Sequence, residues 1–563
     1  MTPRFRPSPT LIILSGLFLL TAILAIPSSL AQGQVQVSAA DPMAAEQGTI
    51  NLNVKVTGKG FKNGAKAKWF VTGTADTGGV TVNSTTFVSS TELSANITVA
   101  DAATVANFDI QVLNSDGRGG KGTELFAVTA KGNSPNACTI QPLPPGITLL
   151  STLNYVKPNG AAAYGTALGV SVRARLMTLN GAQVVVVGVG RPGDGALEIF
   201  FVDPVTGQVL DGTTIGSGTS PQPHVTVNYH AGSRSMGVGD VDANGIPDFV
   251  TGSTTTNSAN AAVGSLAGGV VSYQSYQLPV PSNAMNVGWG VAIGDLNGTG
   301  SDVIAVGSTG GGTGQWVPPQ VSLFTFTGSG FQNVLNIISP AATKRNIDNF
   351  GVGISIADVS GSVAKDLIVG ASSSTVNGAT GAGVAYIFPG PVSASNYLTL
   401  STGVKGDGFG RKLAVGLVNG DSFNDLLATM SGSAKLFNGR VNSGQSPNFS
   451  VQPANGLELG WATTEPDIAD VNNDGLGDAL IGAPNAASGS ICGGVAYLYL
   501  SSLGSPLTQK LTISTPVLDV GSPQVFGWAG AFAAGTRLFF VTDHGLDLGT
   551  TSAAGQVYVF KVN

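Results

Sequence analysis

After an apolar stretch from Leu11 to Ile26, hydrophobic residues fall into short runs whose internal spacing changes part-way along the chain. Between Gln34 and Lys131 they alternate with polar residues, as in "TINLNVKVTG", "AKAKWFVTG" and "ELSANITV", with Gly, Asn and Asp between the runs. Alternation of period two predicts strands with one buried face, and so many short strands predict a β-sandwich. "KGNSPNACTIQPLPPG" follows, a Pro- and Asn-rich linker placed at 132–146.

From 147 onward the runs stop alternating and begin to repeat. An apolar strand ending in small residues recurs seven times: "AQVVVVGVG", "PDFVTGS", "SDVIAVGS", "KDLIVGAS", "NDLLATMS", "GDALIGAP" and "TRLFFVTD". Most copies are preceded by a strand such as "FGVGISIAD", "FGRKLAVGL" or "FGWAGAFAA" and followed by one that starts at glycine: "GGVVSYQ", "GVAYIFPG", "GGVAYLYL" and "GQVYVFKV". The anchors Phe350, Phe409, Leu459 and Phe526 are 59, 50 and 67 residues apart. A period of about 60 suits a four-stranded propeller blade, and strands apolar at every position are expected where both faces are covered. A β-solenoid is the alternative. The chain ends on a third strand, which leaves "ITLLSTLNYV" (147–156) as the natural fourth strand of the last repeat.

Phe-Gly followed by Gly-Ala-Pro at this spacing resembles the FG-GAP repeat of integrin α-subunit-like propellers and exported bacterial proteins. "GTINLNVKVTGKGFKNGAKAKWF" and the runs after it resemble TIG/IPT-type immunoglobulin-like domains. The fold expected is all-β: an Ig-like β-sandwich over 34–131, then a seven-bladed β-propeller over 147–563.

Composition agrees with turns rather than helices. There are 80 glycines, and with six glutamates among 32 acids the remaining 26 are aspartates, residues of turns and caps. Arg4 and Arg6, the apolar run and Ser29-Leu30-Ala31 read as a secretory signal cleaved after Ala31, so the protein is expected to be secreted or at the cell surface. Removing two arginines leaves 26 − 2 = 24 basic residues against 32 acids, a formal charge of −8. That balance excludes nucleic acid as the expected partner, and no later stretch reads as a membrane span. Cys138 and Cys492 are the only cysteines; a disulfide between them is one reading and two unpaired residues the other.

The chemistry sits in the hairpins before the repeated strand. "DVNNDGLGD" places Asp470, Asn472, Asp474, the Leu476 carbonyl and Asp478 at positions 1, 3, 5, 7 and 9, with Gly475 at the turn. Calcium takes oxygens from such positions, and three carboxylates in one small loop repel unless a cation separates them. Asp240, Asp242, Asn244, the Ile246 carbonyl and Asp248 repeat the register. Weaker versions are Asp295, Asn297, Thr299 and Asp302, where Asp302 falls one residue early, and Asp358, Ser360, Ser362 and Asp366, which lack the glycine. Copy five has Leu417 at position 1 and copy seven no acid, so both read as plain hairpins.

Three histidines occur, His224, His230 and His544, none in a zinc-binding or nucleophile-activating pattern. The reading that follows is a non-catalytic, monomeric binding or adhesion protein that uses Ca²⁺ and takes an extracellular protein or glycan ligand. An extracellular hydrolase or lyase acting on polysaccharide or lipid through the propeller funnel is the alternative.

Overall fold

The computed structural model describes residues 35–129, 141–154, 167–191, 195–210, 224–228, 235–282, 284–310, 316–341, 343, 347–451, 465–484, 494–517, 525–546 and 554–563. The signal segment, Leu459, His230, Cys138 and Cys492 lie outside them, as does the question of the disulfide. Among the described residues all regular structure is β, in nine four-stranded sheets. No helix there is long and apolar enough to cross a membrane. The chain divides into a unit spanning Met1–Ala137 and a unit spanning Cys138–Asn563.

In the first unit, Gln36–Asp41, Leu52–Lys59, Glu92–Val99 and Val80–Ser89 form one sheet, in that order. Ala44–Glu46, Gly119–Thr129, Ala106–Leu113 and Lys66–Val71 form the other. Alternate residues point inward, so Val54, Val56, Leu93 and Ile97 from one sheet share a core with Trp69, Phe108, Ile110 and Phe126 from the other. Trp69 meets Phe126 edge-on at 6.0 Å between ring centres, a favourable aromatic geometry.

The second unit holds seven sheets, numbered here 1 to 7 along the chain. Their first strands are Val172–Leu179, Met236–Gly239, Val287–Gly294, Phe350–Ala357, Leu413–Gly416, Asp467–Ala469 and Gly530–Phe532. Each first strand contacts the first strand of the next sheet, and that of sheet 7 contacts that of sheet 1, so the contacts form a closed cycle. In sheets 1 to 6 spatial order follows chain order. Sheet 7 is completed from the other end of the unit: Ile147–Leu153 pairs antiparallel with Gln556–Val562.

The repeated apolar runs are the second strands, and in Asp248–Ser253, Val303–Ser308, Asp425–Met430, Asp478–Ala483 and Leu538–Asp543 every residue is buried. One strand differs from its expected place. "GGVVSYQ" is not the third strand of sheet 2; Ser258–Ala267 is, and Gly268 and Gly269, at φ 60° and 82°, turn the chain into the fourth strand Val270–Gln277. Two consecutive residues at positive φ make the two-residue turn that suits a hairpin.

The recurring glycines have a packing cause. Gly351 and Gly410, each after a fully buried phenylalanine, sit at φ 92° and 83°. A Cβ on Gly307 would stand 2.1 Å from the Gly351 carbonyl oxygen, and one on Gly370 1.7 Å from that of Gly410. The Phe-Gly step of one sheet therefore lies against the glycine of the preceding sheet's second strand. No side chain fits between them.

Candidate metal centre

Sheets 2 to 6 carry polar hairpins between their first and second strands, and four of these share one device. Asp248, Asp425 and Asp478 open the second strands of sheets 2, 5 and 6, Asp366 is the third residue of that strand in sheet 4, and all four are fully buried. Each accepts the N–H seven residues back: Val241 at 2.7 Å, Val359 at 2.8 Å, Val418 at 2.8 Å and Val471 at 3.1 Å. Each also accepts an N–H near the end of the third strand: Gly264 at 2.7 Å, Gly390 at 3.3 Å, Gly439 at 2.9 Å and Ser501 at 2.9 Å. This carboxylate ties hairpin to sheet, and it does so in sheet 5, whose hairpin lacks the calcium pattern. The aspartate at position 9 thus has a structural duty whether or not an ion is present.

What separates the hairpins is the remaining side chains. In sheet 2, Asp240, Asp242 and Asp248 each place a carboxylate oxygen within 4.8 Å of the others, which makes them the one such trio of acids among the described residues. Asp240 accepts the N–H groups of Asn244 and Gly245 at 3.0 and 2.8 Å, and the side-chain Oδ1 of Asn244 accepts that of Ile246 at 2.7 Å. Burial, with the neighbouring charges of Asp242 and Asp240, pushes Asp248 up to about 7 against its main-chain donors. Burial and Asp240 likewise raise Asp242. A cation between them would remove this cost. Each carboxylate offers about four lone-pair sites, so the two main-chain bonds on Asp240 and on Asp248 leave capacity for a calcium shell, and the residues fit the ion.

The sheet 6 hairpin, the fullest match in sequence, repeats the turn but not the gathering. Asp470 accepts the N–H groups of Asp474 and Gly475 at 3.1 and 2.8 Å, Asp474 accepts Leu476 N–H at 2.9 Å, and Asn472 Nδ2 donates to Asp474 at 3.0 Å. Burial pushes Asp478 up to about 6. Its three acids do not form a trio of the sheet 2 kind.

In sheet 3, Asp295 accepts the N–H groups of Asn297, Thr299 and Gly300, and although burial raises its carboxyl, these donors outweigh it and hold the group low. Asp302 does not serve its own loop. Its carboxylate accepts Asp240 N–H of sheet 2 at 2.7 Å and lies 3.9 Å from Arg175 of sheet 1, which accounts for its one-residue offset. In sheet 4, Ser360 and Ser362 donate their hydroxyls to Asp366 at 2.9 and 2.8 Å, and Asp358 accepts Gly361 N–H at 2.7 Å. That hairpin satisfies its buried carboxylate with its own hydroxyls, so a cation has least to add there.

A charge cluster with no motif lies among the first strands. Glu465 accepts from the Arg173 guanidinium, the Ser235 hydroxyl and, at 3.2 Å, the Lys412 ammonium, which also donates to the Trp289 carbonyl at 3.2 Å. These groups come from sheets 1, 2, 3, 5 and 6, and Ser235, Lys412 and Glu465 are buried. Burial alone would raise Glu465, but Arg173 and Lys412 outweigh it and hold the carboxylate below its ordinary value. Sequence reading missed this cluster: glutamate is rare in the chain, but that rarity does not single out Glu465. The His544 ring lies 4.2 Å from that of Trp528, tilted by 52°.

No family model matches the chain, and no curated protein is similar to it. Among solved structures, the core factor of S. cerevisiae is 9% identical, with a TM-score of 0.39 over 75% of this chain and 62% of its own. This chain thus spans less than two thirds of that structure. AofleA from Arthrobotrys oligospora is 10% identical, with a TM-score of 0.35 over 65% of this chain and 89% of its own. A DUF4784 family protein from Bacteroides caccae, 10% identical, has a TM-score of 0.23 over 74% and 95%. Likeness at this level assigns neither family nor function.

Proposed function

We propose that the protein is an exported, calcium-using binding protein: an immunoglobulin-like module followed by a seven-bladed β-propeller related to the FG-GAP repeat proteins. The cycle of contacts among seven first strands, and the Phe-Gly steps packed on the preceding sheet's glycine, support the propeller. The trio Asp240, Asp242 and Asp248 carries the calcium reading. With one strand order throughout, the first-to-second hairpins all emerge at one end of the ring, where bound calcium stiffens the loops that present a protein or glycan ligand.

The competing hydrolase or lyase reading would draw its acid from the middle of the ring. Glu465 is ill suited to that work, because Arg173 and Lys412 hold it ionised and occupy its oxygens.

Melting the mature protein with calcium and then with chelator tests the metal. An ion at a hundred times its Kd stabilises the folded state by about 2.7 kcal/mol. Asp242→Ala is expected to remove much of that difference and Asp421→Ala little, and identical melting curves with and without chelator would overturn the metal reading. A glycan array and a pull-down from surface extracts test binding, and product formation from an array glycan would favour the enzyme.

A further inference from the structure

Between the first hairpins of sheets 2 and 3 lies a cavity of about 420 Å³, lined by Asp242, Asn297, Thr299, Ser301, Asp302 and Phe326, with Val241 and Val303. Two of the corresponding gaps are filled. Between sheets 4 and 5 the Arg440 guanidinium stacks 4.0 Å from the Phe423 ring centre, its stem covers Gly361, and Asn424 Nδ2 donates to the Asp358 carbonyl at 3.2 Å. Between sheets 5 and 6, Leu476 and Leu503 close over Gly420, and Gly477 N–H donates to the Leu417 carbonyl.

Asp302 and Asp242 already accept from Asp240 N–H and from Asn244, but three other polar side chains of the lining are free. The Asn297 amide and the Thr299 and Ser301 hydroxyls have no hydrogen-bond partner among the described residues, although the main chain of Asn297 and Thr299 bonds Asp295. In sheet 4 the equivalent hydroxyls of Ser360 and Ser362 are both consumed by Asp366. The same kind of hairpin is therefore closed on itself in one sheet and open in another.

We propose that this cavity binds a neutral, hydroxyl-rich saccharide unit. The proposal rests on the binding-protein reading and gives it a place and a ligand class. The Asp302 oxygen not taken by Asp240 N–H accepts a sugar hydroxyl, and its charge disfavours anionic sugars, while an amide and two hydroxyls both donate and accept. The half-buried Phe326 ring supplies apolar surface for the C–H face of a sugar ring. The volume lies within the range of about 300–1,000 Å³ typical of small-ligand pockets and far exceeds the roughly 30 Å³ share of a single water.

Saturation-transfer NMR on the mature chain in calcium tests this, with methyl glycosides of glucose, galactose, mannose and N-acetylglucosamine as probes and glucuronate as the anionic comparison. Transfer to at least one neutral glycoside and none to glucuronate is expected. The double variant Asn297→Ala with Thr299→Val is expected to weaken binding about tenfold or more. Its melting temperature should stay unchanged, because both side chains are exposed and unbonded. Silence from all four glycosides, preference for glucuronate, or undiminished binding by the variant would each overturn the site. Melting the same samples with chelator separates the two claims. Coincident curves with a bound glycoside defeat the calcium reading alone, and a calcium-dependent melt with no bound glycoside defeats the saccharide site alone.

Discussion

The strand Glu92–Val99 of the first unit and the strand Asp478–Ala483 of the second bury their residues by different rules. In the first, Leu93, Ala95, Ile97 and Val99 are buried and the residues between them are partly exposed. In the second, all six residues are buried. The cause is what covers the sheet. A sheet with one core-facing side needs apolar residues at every second position, whereas a sheet packed between two neighbours needs them throughout. Alternation in a sequence therefore reports how many faces are covered as well as whether a strand forms.

The severest way to break this contrast is to uncover an edge of the last sheet. Deleting 147–153 removes the strand paired to Gln556–Val562 and exposes an apolar edge. Loss of cooperative melting in the second unit, with aggregation on heating, is expected; a soluble deletion variant that melts cooperatively would show that the edge tolerates exposure.

Neighbouring substitutions sharpen the comparison. Leu480→Ala and Ile481→Ala sit side by side on opposite faces of one strand, both buried, and each is expected to cost about 2–5 kcal/mol by denaturant titration. In the first unit, Ile97→Ala is expected to cost the same, but exposed Lys55→Ala only about 0.5 kcal/mol or less. A cheap Ile481→Ala would mean that one face of that strand is not tightly packed.

Asp425→Asn probes the hairpin tie apart from metal, since its loop has no calcium pattern. The amide can replace at most part of the acceptor capacity offered to Val418, Asn419 and Gly439, so a loss of about 1–3 kcal/mol is expected. No loss would show that water replaces the carboxylate.

A smaller effect than these core and hairpin losses is the acid response of the first unit. Burial raises the Asp109 carboxyl, but Lys121, the N–H groups of Glu124 and Gly73, and Thr72 outweigh it and bring it down to about 2. A carboxyl depressed in the folded state stabilises above its unfolded value near 4 and loses that contribution as pH falls toward 2. Roughly 1–2 kcal/mol should disappear across that window and should not disappear in Asp109→Asn. Equal acid sensitivity in both proteins would assign the effect elsewhere.

Much of the architecture was legible because it is written locally and repeatedly. Period-two alternation between 34 and 131, seven apolar runs and a spacing near 60 residues come from strand geometry, which depends on close neighbours in the chain. The acids at positions 1, 3, 5 and 9 were visible for the same reason. Their ranking was not: the sheet 6 hairpin has the fuller pattern, yet the acids converge in sheet 2. Convergence depends on how each hairpin settles on its sheet, and a spacing rule does not contain that.

By itself, the sequence determined the all-β character, the repeat and the acid-bearing hairpins, since each follows from side-chain direction and turn chemistry within a few residues. Tertiary structure alone decided the rest. It sent Asp302 to the Asp240 N–H, gathered Arg173, Lys412 and Glu465 from distant repeats, filled the gap beside Gly361 with Arg440 and left the one beside Asn297 open. These outcomes are set by which sheet packs against which, and packing joins residues that share no local pattern.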